Sequence, residues 1–187
     1  DDKSKIIQLM FLNDISYCVL VENNGKMIDA VNFDIAEYYS YTTVRNTNSI
    51  SFDKSLYHYD KTLEINRATN TLWGEAISKG HIGFQVYDSK GKIDLGYKTC
   101  AEAILMAEES GDILSKAVVY TCHGFSCYCK GFFIEGVEHL LKAIDFCDRI
   151  RLTIWGALAN WFLGDTYYEM GEYKIPQGYY EKAISLL

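Results

Sequence analysis

The feature that most constrains the fold is an internal repeat of 40 residues in the C-terminal part of the sequence. Aligning KGFFIEGVEHLLKAIDF (130–146) with MGEYKIPQGYYEKAISL (170–186) places glycine on glycine near the start and Ala-Ile on Ala-Ile near the end. The stretch KGKIDLGYKTCAEAILM (90–106) fits the same template one period earlier. Three copies in register predict an array in which each unit packs on its neighbour.

Glycines recur at two positions in each copy, and one of them divides the copy into two helices. A turn glycine ends the first helix because it accepts a positive φ, and Pro176 suits the first turn of a second helix. A further glycine inside the first helix costs about 1 kcal/mol relative to alanine, so its recurrence predicts close helix–helix approach. The first copy needs one extra residue, which we place in the loop around 88–90. The turn glycines are Gly91, Gly131 and Gly171, and the helix glycines are Gly83, Gly124 and Gly164.

At these residues the sequence resembles the tetratricopeptide repeat family. The resemblance implies an all-α, right-handed superhelical array (a solenoid) of antiparallel helix hairpins, with three repeats at about 70–110, 111–150 and 151–187. The period exceeds the family's usual length of about 34 residues, and in this it is similar to the extended repeats of bacterial signalling proteins. In the last copy the residues that follow the family's order are Leu163, Gly164, Tyr167, Gly171, Tyr173, Tyr180 and Ala183.

The first 69 residues are less regular, and we expect degenerate helical repeats that continue the array. Residues 4–24 and 26–43 are interpreted as one helical hairpin around Gly25. The polar stretch 44–53 predicts a loop. Residues 53–67 have a helical pattern that Ser51 or Asp53 could cap.

Composition excludes several classes of function. The net charge of −7 is unfavourable for binding nucleic acid or an anionic membrane, because both need a basic face. The sequence has no membrane-length apolar stretch and no signal peptide pattern, so we expect a cytoplasmic protein. The six cysteines are interpreted as free thiols, because a chain with 49% hydrophobic residues does not need disulfides to be stable.

No motif indicates catalysis or a bound cofactor. The sequence has no glycine-rich phosphate loop, no HExxH and no nucleophile elbow. The four histidines do not fall at ligand spacing with one another. Cys122 and Cys129 share a helix face, and His81 occupies the slot of Cys122 one repeat earlier, but small apolar cysteines also fill tight helix contacts. We therefore predict no enzyme, no cofactor and no metal site.

The resemblance implies that the first helices line a concave groove, and counting from the aligned glycines gives this groove an aromatic lining. Such a groove could hold a partner peptide or domain; the alternative is that these rings bury against neighbouring repeats. His81 and Cys122 join the lining, and no basic clamp for an acidic tail is visible. The groove candidates are Phe84, Tyr87, Phe125, Tyr128, Trp161, Phe162, Asp165 and Tyr168.

Two functions therefore remain open. The first is a protein-binding scaffold module within a larger signalling or regulatory protein. The second is an effector-sensing or self-association segment of an ATPase, cyclase or transcription regulator. Tyr179, Ile184 and Leu187 of the last helix would form an apolar patch, which predicts a homodimer through the C-terminal helix.

Overall fold

The computed structural model describes residues 5–10, 17–22 and 52–187. The chain divides into two compact units, Asp1–Asn70 and Thr71–Leu187. The continuity of residues 1–69 with the repeat array stays a prediction. None of the helices in the described ranges is both long enough and apolar enough to cross a membrane.

The N-terminal unit contains a β-hairpin where we expected a helix. Strands β1 (Lys5–Met10) and β2 (Tyr17–Glu22) pair antiparallel, with Lys5 opposite Glu22 and Met10 opposite Tyr17. The helical expectation for 4–24 is therefore wrong over both strands. Short apolar runs fit a strand as well as a helix, and the β-branched residues of IIQLM and CVLV favour the strand.

Helix α1 (Phe52–Ala68) follows in the same unit. It confirms the helix that we predicted over 53–67. Acidic Asp53 in its first turn and basic Arg67 in its last turn both complement the helix dipole. The second half of the expected hairpin, 26–43, and the expected loop up to residue 51 lie outside the described residues.

The C-terminal unit is the predicted array of helix hairpins, and within residues 71–187 it contains no strand. Each helix packs on the next along the chain, and the first helices of neighbouring repeats also contact each other. The first helices are α2, α4 and α6, and the second helices are α3, α5 and α7. Their bounds are α2 Leu72–His81 with a π-helical continuation Ile82–Asp88, α3 Ile93–Ser110, α4 Ile113–Lys130, α5 Phe133–Ile150, α6 Thr153–Glu169 and α7 Pro176–Leu186.

The three turn glycines form the same turn, as predicted. Each has a positive φ, of 71° at Gly91, 79° at Gly131 and 84° at Gly171. Each glycine N–H donates to the carbonyl three residues back, and the next N–H donates to the carbonyl five residues before it. This pair of bonds satisfies carbonyls that the helix end would otherwise leave without partners. Pro176 begins α7, where we expected it.

The extra residue of the first copy lies in the helix and not in the loop around 88–90. Because the turn at Gly91 matches the other two bond for bond, the insertion must precede it. The π-helical segment Ile82–Asp88 absorbs it by widening the helix locally. Counted back from the turn, Asp88 is therefore the counterpart of Tyr128 and Tyr168, and the alignment of Tyr87 with those tyrosines shifts by one.

The helix glycines mark close contacts between the two helices of a repeat. A Cβ added at Gly164 would lie 2.5 Å from the Tyr180 ring, and one added at Gly124 would lie 2.5 Å from Leu140 Cγ. At Gly83 it would meet the Cys100 sulfur. The expected close approach of the helices is confirmed. Glycine is needed at these positions because a side chain would clash with the facing helix.

Gly164 and Gly178 provide a matched test of this packing. Both glycines lie in helices, but a Cβ at Gly178 meets open space. We expect Gly178→Ala to stabilise the protein by about 1 kcal/mol through helix propensity. Gly164→Ala should destabilise it despite the same propensity gain, because the Tyr180 ring must move. Urea unfolding of both variants measures the difference, and equal effects would contradict the close contact.

Alanines at the repeat's second-helix position form the centre of the core. Ala103 and Ala143 are fully buried and Ala183 is nearly so. We expect Ala143→Asp to destabilise the protein by about 3–5 kcal/mol, because it buries a charge without a partner. Leu141→Asp on the exposed side of the same helix is the control and should cost much less. Unfolding midpoints in urea compare the two, and a variant at 143 as stable as the control would contradict the repeat alignment.

Candidate functional site

The last repeat carries an apolar groove between α6 and α7, which we call the end groove. It has a volume of about 370 Å³. The only polar side-chain atoms of its lining residues are the Tyr180 hydroxyl and the Trp161 indole nitrogen, and no charged side chain lines it. The lining residues are Ile154, Ala157, Leu158, Trp161, Tyr180, Ala183, Ile184 and Leu187.

The end groove is the surface that earlier repeats cover with their neighbour. Leu187 is 88% exposed, whereas Cys147, its counterpart one 40-residue period earlier, is 2% exposed. Trp161 is 51% exposed, and its counterpart Thr121 is fully buried. The contrast follows from position in the array, because each repeat leaves an apolar face for the next one.

Helix α6 covers the equivalent face of the middle repeat. A Cβ added at Gly156 of α6 would lie 3.5 Å from Cys147 Cβ, which is ordinary van der Waals contact. A small residue on a helix is therefore what lies against this face inside the array. No such helix covers the end groove in the described residues.

The three self-association candidates separate into two places. Ile184 and Leu187 line the end groove. Tyr179 does not line it, because its ring stacks on Tyr167 with centroids 5.6 Å apart. The rest of the apolar surface comes from α6, above all from Ile154 and Trp161. The sequence of the last helix alone does not reveal this contribution, because it depends on how α6 packs beside α7.

Among the concave-groove candidates, three phenylalanines pack on one another. Phe125 lies between Phe84 and Phe162, with ring centroids 5.0 Å and 4.7 Å away. Phe162 is buried in the core, and the other two are half-buried against it. These rings join the first helices of all three repeats. For these three candidates the structure therefore shows burial against neighbouring repeats, which was the alternative to a peptide groove.

The remaining groove candidates have varied surroundings. Tyr168 is 53% exposed and contacts the ring of Tyr173 at 5.2 Å. Asp165 accepts a hydrogen bond from the Tyr180 hydroxyl at 2.7 Å. Tyr87 and Tyr128 are half-buried, and Trp161 belongs to the end groove. The two residues that we placed beside them, His81 and Cys122, are buried.

A second cluster joins the two helices of the middle repeat. It consists of His123 and Cys127 on α4 and Glu135 and His139 on α5. One ligand atom from each of the four lies within 4.8 Å of all the others. His123 Nδ1 is 2.7 Å from His139 Nδ1 and 3.4 Å from Cys127 Sγ. His123 and His139 lie 16 positions apart in the sequence, and the fold brings their rings together.

Neighbouring side chains hold this cluster in place. The Tyr97 hydroxyl donates to both Glu135 oxygens, at 3.0 and 3.1 Å, and its ring lies 4.8 Å from the His123 ring. Burial, with the nearby His139, lowers the pKa of His123 to about 3. Burial also raises the pKa of the Cys127 thiol. Both groups are therefore neutral at pH 7 in the absence of a ligand.

No disulfide joins the five cysteines at positions 100, 122, 127, 129 and 147, whose side chains the structure describes. Cys122 packs in an apolar cluster with Cys100 and Val118. Cys129 is half-buried on the same helix as Cys127 but is not a member of the His–Cys–Glu cluster. Cys127 is thus the one thiol, in the described part of the chain, that belongs to a group of three or more potential metal ligands.

Asp88 is a buried acid at the end of the π-helical segment. Its Oδ2 accepts a hydrogen bond from Ser126, and its Oδ1 is buried with no hydrogen-bond partner. Burial raises the pKa of Asp88 to about 7, and the Ser126 hydrogen bond opposes that rise. The residue is enclosed between helices, so we interpret it as a feature of packing and not as a catalytic acid.

Comparison with known proteins supports the fold. No family model matches the sequence, and no curated protein matches it significantly. The chain is similar to the crystal structure of nearly identical TPR-like repeats from a candidate kinesin light chain of Podosopora anserina. The TM-score is 0.55 at 12% identity, over 88% of this chain and 76% of that one. The chain thus has a TPR-like helical repeat fold.

The raised pKa of Asp88 predicts a pH-dependent stability. Because the folded state keeps the carboxyl protonated up to about pH 7 and the unfolded state only to about 3.8, stability should fall as pH rises between these values. Asp88→Asn should remove this slope and stabilise the protein at pH 8, by about 1–3 kcal/mol. Thermal melts from pH 4 to about pH 8 test this.

The same substitution at exposed Asp94 is the control. The Lys130 ammonium lowers the pKa of Asp94, so Asp94→Asn should slightly destabilise the protein at pH 8. Two results would contradict the raised pKa of Asp88. One is a wild-type melting temperature that does not fall as the pH rises, and the other is a change of the same sign in Asp88→Asn and Asp94→Asn.

Proposed function

We propose that this chain is a non-catalytic protein-interaction module that docks a partner helix in the end groove. One observation carries the proposal. Within residues 71–187 no helix covers the face formed by Ile184 and Leu187, which are 74% and 88% exposed, whereas Cys147 at the Leu187 position of the middle repeat is 2% exposed. An apolar face of this kind is a docking surface, because exposing it to water is unfavourable.

The geometry of the array favours an amphipathic helix as the occupant. Inside the array the equivalent face of the middle repeat receives helix α6, with Gly156 at the contact. A partner helix with a small residue at its centre and apolar residues one turn to each side reproduces that packing. The absence of Lys and Arg from the lining makes an acidic peptide an unfavourable ligand.

Two features support a non-catalytic role. The fold is TPR-like, and such arrays serve as binding surfaces. The buried titratable groups, Asp88 and the cluster around His123, lie between helices and away from the end groove lining. A signalling or regulatory context for the whole protein remains a proposal that rests on the resemblance alone.

Self-association is the second candidate. The same exposed residues, Ile184 and Leu187, would bury each other's apolar area across a two-fold axis. Docking of a peptide along the concave face has less support, because the rings of Phe84, Phe125 and Phe162 already pack on one another. Among all the concave-groove candidates Tyr168 has the largest exposed fraction, so it is the residue to substitute in a test of that face.

Selection from a displayed library of amphipathic helices of about 18 residues tests the proposal. The wild-type protein is the bait, and Ile184→Glu with Leu187→Glu is the counter-selection. We expect the enriched helices to bind the wild type at least about ten-fold more tightly than the double variant, because a charge then faces the apolar groove.

Ser185→Glu is the control, since it adds a negative charge to α7 outside the groove lining. Enriched helices should bind this variant as they bind the wild type. Failure to enrich any helix, or equal binding to all variants, would contradict the proposal. Sedimentation velocity at tens of micromolar separates the second candidate, which predicts a wild-type dimer that the double variant loses.

A further inference from the structure

We propose that His123, Cys127, Glu135 and His139 form a zinc site that joins α4 to α5 in the middle repeat. Each helix contributes two residues four positions apart, which lie on one face of that helix. The two faces meet, so that four ligand atoms from four side chains lie within 4.8 Å of one another. This convergence is the arrangement that a four-coordinate metal requires.

The donor atoms match zinc in kind. Two imidazole nitrogens, one thiolate sulfur and one carboxylate oxygen are all ligands that Zn²⁺ accepts. The thiolate and the carboxylate together carry two negative charges, which balance the charge of the ion. On binding, the Cys127 thiol releases its proton to solvent as the Zn–S bond forms, and both imidazoles bind through an unprotonated Nδ1.

The distances need adjustment in both directions, because the four ligand atoms now lie within 4.8 Å of one another. Bonds of about 2.0–2.3 Å in a tetrahedron place ligand atoms about 3.3–3.7 Å apart. The separation between Cys127 Sγ and His123 Nδ1 is already 3.4 Å. The two Nδ1 atoms, 2.7 Å apart, must separate by less than an ångström. Rotation of the half-buried His139 side chain can provide this.

Hydrogen bonding alone satisfies the cluster incompletely. His123 is almost fully buried, and its Nε2 has no hydrogen-bond partner. Burying a polar nitrogen in this way is unfavourable. A metal bond at Nδ1 leaves Nε2 unpaired, so the gain comes from the metal–ligand bonds themselves, which contribute far more free energy than one N–H···N bond.

The surroundings supply the outer support and the entry path of a metal site. The Tyr97 hydroxyl donates to both oxygens of Glu135, which fixes the carboxylate and leaves lone pairs for the ion. Glu135 and His139 are half-buried, whereas His123 and Cys127 are buried. An ion can therefore enter from the side of α5 and reach the inner pair.

The experiment titrates the chelator-treated protein, residues 1–187, with zinc alone and, in a parallel sample, with cobalt. We expect one zinc per chain, a higher melting temperature, and cobalt substitution that gives the near-ultraviolet sulfur-to-cobalt band of a thiolate ligand. Cys127→Ser should abolish that band. His139→Gln should weaken zinc binding by more than about 100-fold, and Tyr97→Phe by about 10–100-fold.

Cys129→Ser is the matched control, because it removes a half-buried thiol from the same helix outside the cluster. It should bind zinc like the wild type. If circular dichroism shows that Cys127→Ser does not fold, zinc binding by the variants of the two half-buried ligands, His139→Gln and Glu135→Gln, tests the site instead. A wild type that binds no zinc, or zinc that His139→Gln and Glu135→Gln both retain, would overturn the site.

Discussion

Close approach of the two helices within each repeat determines most of this structure. In the middle repeat a Cβ at Gly136 would lie 3.3 Å from the Gly124 carbonyl oxygen, so the backbones of α4 and α5 meet where both lack side chains. Gly124 follows His123 and Gly136 follows Glu135 along the chain. The contact that closes the hairpin thus also brings the potential zinc ligands together. A larger residue at either glycine would separate the helices and the ligands at once.

The same stacking explains why the end groove is apolar. Every second helix must present small or aliphatic residues to the first helix of the next repeat, as Cys147 does to Gly156 of α6. Because the last copy retains this pattern at Ala183 and Leu187, it retains the surface too. The apolar surface therefore follows from the repeat itself.

The sequence could predict what depends on local chemistry. The turns at Gly131 and Gly171 and the start of α7 at Pro176 follow from backbone preferences that a single residue reveals. The sequence could not distinguish the β-hairpin from a helix, because apolar runs as short as IIQLM fit a strand and a helix equally well. The His123–His139 pair was missed because its residues lie on different helices, which pack together at their facing glycines.

The two proposed sites differ in how they depend on the array. Zinc at His139 and His123 would tie α4 to α5, while the end groove lies between α6 and α7. In a repeat array stability spreads through nearest-neighbour interfaces, so a link within the middle repeat stabilises it and, more weakly, the repeats beside it. The groove's lining comes wholly from the last repeat, so zinc adds no contact to a docked helix. Zinc should therefore raise the melting temperature while leaving the affinity for a docked helix nearly unchanged, because that helix binds a repeat that is already folded.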